Sequence, residues 1–149
     1  MKVFPLAMLA ALVLSAPAFA HPSGHDGGDY YRPSSTAAAP APTVIPATYP
    51  EVVAALRERA TAAGVALDGQ KIVDVRRAVT ALTDLSAALP AKATGLSAAA
   101  KATVAQKATS LKTNIDALLI AADKGNVSNG KAALAGIQAD LDALGPLAK

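Results

Sequence analysis

Beyond residue 48, apolar side chains recur at helical spacing in four separate runs. Val52, Leu56, Ala60, Ala63 and Leu67 share a face in the first. In the second, Ile72, Val75, Val79, Leu82, Leu85 and Leu89 fall within an arc of about 140° at 100° per residue. Asp74, Arg76, Arg77 and Asp84 lie outside that arc. The third run places Val104, Leu111, Ile115, Leu118 and Ala122 on one stripe, and the fourth does so with Leu134, Ile137, Leu141 and Leu144.

Punctuation between the runs agrees with this spacing. Thr48-Tyr49-Pro50-Glu51 has the order of a capping box with Pro in the first turn. Asp68 and Gly69 close the first run, and Pro90 stops the second or closely follows its stop because proline has no N–H to donate. Ser97 is a suitable N-cap for a third helix over about 98–124. Gly125 fits the left-handed position after it, and the fourth helix starts near Asn126 to Ser128 and ends at Gly145-Pro146. Alternating β-branched patterns are absent and Ala is abundant, so no strand competes. Short connections force antiparallel neighbours. The expected fold is all-α: an up-down-up-down four-helix bundle over 48–149. Two longer helical hairpins exchanged between copies of the chain would satisfy the same stripes.

The chain before residue 48 has a different character. Lys2, the apolar stretch from Val3 to Ala16 and Ala18-Phe19-Ala20 have the order of a cleavable export signal over 1–20, with cleavage before His21. A membrane span needs about 20 apolar residues. This stretch is shorter and is interrupted by Pro5 and Pro17, which disfavours the rival reading as an uncleaved anchor. No integral span is expected after cleavage, and the protein is expected to be periplasmic or secreted. Residues 21–47 are rich in Gly, Pro, Ser and Ala without an apolar period, the composition of a disordered tether.

Composition narrows the chemistry. There is no Cys, which excludes disulfides, thiolate metal sites and Cys nucleophiles together. Loss of Lys2 with the leader lowers the formal charge from +3 to +2, with basic residues scattered, so nucleic acid is not an expected partner. Only Tyr30, Tyr31 and Tyr49 supply aromatic rings after the leader, too few for base-stacking platforms. No His follows His25, and no carboxylate dyad is evident among Glu51, Glu58 and the seven Asp of the bundle. General acid–base catalysis lacks its usual groups, and an enzyme is not expected. Ser128-Asn129-Gly130-Lys131 matches S-x-x-K, but the companion K-T-G and S-D-N motifs are missing. Its plainer reading is a helix start, with Ser128 as cap and Asn-Gly as turn residues. Most of the bundle's carboxylates are expected on solvated faces or caps, and Lys112 with Asp116 as an exposed i,i+4 pair.

One cluster has metal-ligand character. A new N-terminus at His21 would present an α-amine and an imidazole together, with His25, Asp26 and Asp29 nearby in sequence. His21, His25 and Asp26 are the candidate ligands for Cu(II) or Zn(II); no other cofactor is expected.

The run Lys71-Ile72-Val73-Asp74-Val75-Arg76-Arg77-Ala78-Val79, continuing through Leu82 and Leu85 to Ala88-Leu89-Pro90-Ala91-Lys92, resembles small exported bacterial four-helix bundles. So do Ile115-Asp116-Ala117-Leu118, Ala121 to Asn126, and the final Leu134, Ile137, Leu141, Leu144 ladder. These are similar in shape to soluble b-type and c′-type cytochromes but lack haem. The resemblance implies an antiparallel bundle over about 48–149. The cytochromes' haem ligands, Met and His or C-x-x-C-H, have no counterpart here, so no functional residue is carried over. Haem-free members often have His-rich stretches, which implies metal stress as a context. Two functions follow as expectations. The first is a non-enzymatic interaction or scaffolding module whose partner is another protein or a second copy of the chain. The second is a metal-handling accessory protein using the His21 segment.

The metal expectation is testable by calorimetry on the chain beginning at His21. Cu(II) should bind more tightly than to an unrelated N-terminal peptide, and His21→Ala should weaken it. Equal binding by the variant would contradict the expectation.

Overall fold

The computed structural model describes residues 42–148. The leader, the tether up to residue 41, and His21, His25 and Asp26 lie outside the described residues. Residues 42–48 enter as chain without helix or strand. Four α-helices follow: α1 (Tyr49–Asp68), α2 (Ile72–Lys92), α3 (Ala98–Asp123) and α4 (Val127–Leu144), then a 3₁₀ turn over Gly145–Ala148. No strand occurs among the described residues. Consecutive helices pack against one another, and α1 packs against α4 to close the ring. This is a four-helix bundle, as the four stripes predict.

Most of the core consists of the stripe residues, joined by Tyr49, Val53, Ala66, Ala78, Ala93 and Ala133. Leu56, Leu82, Leu85, Leu89, Leu111, Ile115, Leu118, Ile137, Leu141 and Leu144 are fully buried, each stabilising the fold by about 1.5–3 kcal/mol relative to exposure. Two stripe residues depart. Leu134 is only half-buried and leans on α1 at Gly64. Ile72 is 40% exposed. It is the first residue of α2, at the turn, beyond the end of the stripe that the other helices bury.

The helix ends show how the chain turns so sharply. At the start of α1, Glu51 Oε2 accepts from the Thr48 amide at 3.0 Å and from the Thr48 hydroxyl at 2.8 Å. These bonds hold the Glu51 carboxyl below its ordinary value. Ser97 Oγ accepts from the Ala100 amide at 3.3 Å and starts α3. After α3, Gly125 takes φ +63°, and the amides of Gly125 and Asn126 bond back to the carbonyls of Ala122 and Ala121. That is a Schellman closure. The same closure follows α1, but there Gln70, not Gly69, holds the positive φ of 54°. The amides of Gln70 and Lys71 bond to the carbonyls of Leu67 and Ala66. Pro90 does not stop α2; the helix runs to Lys92. Proline in a last turn forfeits a single N–H bond, and the Ala93 amide bonds to the carbonyls of Leu89 and Pro90 beyond it.

A side chain at positive φ is strained by about 1 kcal/mol. Gln70→Gly should therefore raise stability in urea unfolding by about 0.5–1 kcal/mol, whereas Gly125→Ala should lower it by about 1 kcal/mol. Stabilisation by both would contradict these backbone assignments.

Candidate functional site

Asp140 is the one buried carboxylate among the described residues, 4% exposed, and so the first candidate for chemistry. It lies between α3 and α4. Lys107 Nζ reaches its Oδ1 at 2.9 Å and Asn114 Nδ2 donates to its Oδ2 at 3.2 Å. No buried side-chain N or O atom among the described residues lacks a hydrogen-bond partner. Asp140 is thus committed to joining two helices and has no free lone-pair role facing a hollow. Most carboxylates are exposed, as expected, and Asp140 is the exception. A sequence signal existed: Asp140 falls on the stripe between Ile137 and Leu144, and Lys107 on the stripe between Val104 and Leu111. Two interruptions of opposite charge on successive stripes point to each other.

The Ser128-to-Lys131 motif is not assembled as a catalytic pair. Asn126, not Ser128, caps α4, its Oδ1 accepting from the Asn129 amide at 3.0 Å. Ser128 is exposed in the first turn, and Lys131 Nζ pairs with Asp68 of α1 at 2.9 Å. Asn129 and Gly130 lie inside the helix. Gly130 is buried because Leu67 fills the space beside it: a Cβ there would stand 2.6 Å from Leu67 Cδ2. The expected Lys112–Asp116 pair forms at 2.9 Å on the exposed face of α3.

The second candidate is the end of the bundle where both tight turns lie. Leu67, Gln70, Ile72, Val75, Ala122, Gly125 and Val127 line one cleft of about 140 Å³, so the α1–α2 and α3–α4 turns meet there. An engineered apolar cavity of about 150 Å³ holds a benzene molecule. This cleft therefore has room for one aliphatic or small aromatic side chain. Ile120 lies close by, lining a groove between α3 and α4 with Lys124 and Asn126. Large apolar side chains are unusually exposed at this end: Val65 at 71%, Val73 at 69%, Ile120 at 55%, besides Ile72. The other exposed large apolar side chains among the described residues are Val44 and Ile45, ahead of α1.

Charges ring the same end. Asp68–Lys131 joins α1 to α4, and Arg76–Asp123 joins α2 to α3 at 2.8 Å, while Arg77–Asp74 lies within α2. All are exposed, so each contributes at most about 1 kcal/mol. Lys71 and Lys124, both exposed, form no ion pair among the described residues.

The opposite end is closed differently. Arg57 Nη2 donates to the Leu141 carbonyl at 2.9 Å and approaches Asp142 at 3.2 Å, and the Tyr49 hydroxyl reaches the Leu144 carbonyl at 3.4 Å. These donors answer the unsatisfied carbonyls and negative dipole end of α4. Burial raises the Tyr49 phenol above its ordinary value. Leu96, Leu147 and Ala148 pack over the core there.

Among the described residues no group of three or more His, Cys, Asp or Glu is placed to hold a metal ion, and no helix is long and apolar enough to cross a membrane. No protein-family profile, curated protein or solved structure matches this chain.

Proposed function

We infer that this protein is a non-enzymatic, exported interaction module, with the turn end of the bundle as its contact surface. The observation that carries this reading is the concentration of exposed aliphatic side chains at one end. Ile72 lines a cleft of side-chain size there, and Val65, Val73 and Ile120 are exposed on α1, α2 and α3 toward the same end. Single exposed apolar residues are ordinary on a protein surface, whereas an open cleft with an apolar lining, at the end that carries four of them, supports a contact site. The buried Asp140 is saturated by Lys107 and Asn114 and supports a structural role, which leaves surface contact as the better reading. The export signal sets the place of action: the periplasm or the cell exterior, where the tether over 21–47 would link the bundle to its N-terminus.

A photo-crosslinking residue at Val73 should give a recurrent protein adduct in the export compartment, and one at Thr94 on the other end should not. The adduct should disappear when Ile120→Asp is added, with helicity retained. Equal adducts from both ends, or none from Val73, would contradict the reading.

A further inference from the structure

We propose that the turn-end cleft receives one aliphatic side chain from an acidic segment of a partner protein. This rests on the interaction reading above and names the chemistry of the partner. The cleft supplies the apolar half of the recognition: Leu67, Ile72, Val75, Ala122 and Val127 surround a volume suited to one side chain. The rim supplies the charged half. Asp68, Asp74 and Asp123 are each consumed by a neighbouring cation. Lys71 lies between the lining residues Gln70 and Ile72, and Lys124, which lines the adjoining α3–α4 groove, precedes the lining residue Gly125, so a cation without an ion pair among the described residues stands on each of the two turns that form the cleft. An aliphatic residue flanked by Asp or Glu complements both features at once.

Lys71 is also poorly placed for stability. It occupies the N-cap of α2, where its side chain makes no capping hydrogen bond. A cation there opposes the helix dipole. Gln70, beside it and lining the cleft, holds the strained positive φ. Two neighbouring residues that a fold alone would not favour therefore lie in the turn that forms one side of the cleft, with Gln70 in its lining.

Other occupants fit less well. A second copy docked end to end would set its own Lys71 and Lys124 against these. A lipid surface is ordinarily met by Trp and Tyr anchors, and no aromatic residue follows Tyr49 in the chain. A lipid surface also offers no side chain to fill a cleft.

The test uses the isotopically labelled full chain recovered from the export compartment and a synthetic peptide with the core Asp-Glu-Leu-Glu-Asp. Amide shifts should appear at Gln70, Ile72, Val73, Gly125 and Val127. Replacing the peptide's Leu by Ser should weaken binding about tenfold, and so should the double variant Lys71→Ser with Lys124→Gln. Because Ser is a better N-cap than Lys, the double variant should melt no lower than the parent, which separates lost binding from lost folding. No shift at millimolar peptide, shifts elsewhere on the bundle, or unchanged binding by the double variant would overturn the proposal. So would binding to phosphatidylglycerol vesicles without binding to the peptide. A Val73 crosslink that persists while the peptide fails would refute the acidic partner and leave the interaction reading standing.

Discussion

Helix α4 is seated by side chains of its neighbours that occupy the space its glycines leave open. Leu67 of α1 fills the place of a Cβ at Gly130, Asn114 of α3 does so at Gly136, and Arg57 of α1 does so at Gly145. Each intruding residue then makes a contact that depends on its depth. Leu67 completes the core and one wall of the turn-end cleft. Asn114 reaches Asp140, and Arg57 reaches the last carbonyls of α4. Two glycines inside α4 and one at its C-cap thus set how closely it approaches α1 and α3. Glycine inside a helix costs about 1 kcal/mol relative to alanine, and here close packing offsets it.

That close packing makes the two ends of the bundle unlike. At the end holding the start of α1 and the close of α4, Arg57 and Tyr49 answer the free carbonyls, and the 3₁₀ turn and Leu96 cover the core. At the turn end, two three-residue connections close the backbone in Schellman turns and leave little chain to lie across the top. Ile72 is left 40% exposed by loops so short, and Val127 only half-buried. The exposure of Ile72 follows from the same tight turns that hold the helices antiparallel, whereas Val65, Val73 and Ile120 face outward from their helices, opposite the core stripes.

Much of this was legible in the sequence wherever a residue's role depends on its own segment. The four stripes gave the helices and most of the core, Ser97 and Gly125 gave their caps, and Thr48 with Glu51 gave the start of α1. What escaped depends on contacts between segments. Gln70 holds the left-handed position because the closing hydrogen bonds fall one residue beyond Gly69. Ile72 continues the α2 period but outlasts its neighbours, so period alone assigns it to the core. Asp140 is polar by type yet sits on a buried stripe, and only Lys107 and Asn114 on another helix make that tolerable. The cleft joins two turns separated by about fifty residues, and no local pattern reveals such a junction.

The packing of Leu67 against Gly130 tests the account most directly, because it links α4's seat to the wall of the cleft. A double-mutant cycle in urea would compare Gly130→Ala in the parent and in the Leu67→Ala background. The account predicts that Gly130→Ala costs about 1–3 kcal/mol in the parent. With Leu67 truncated, the same change should become neutral or gain up to about 1 kcal/mol from helix propensity. An equal cost in both backgrounds would contradict it.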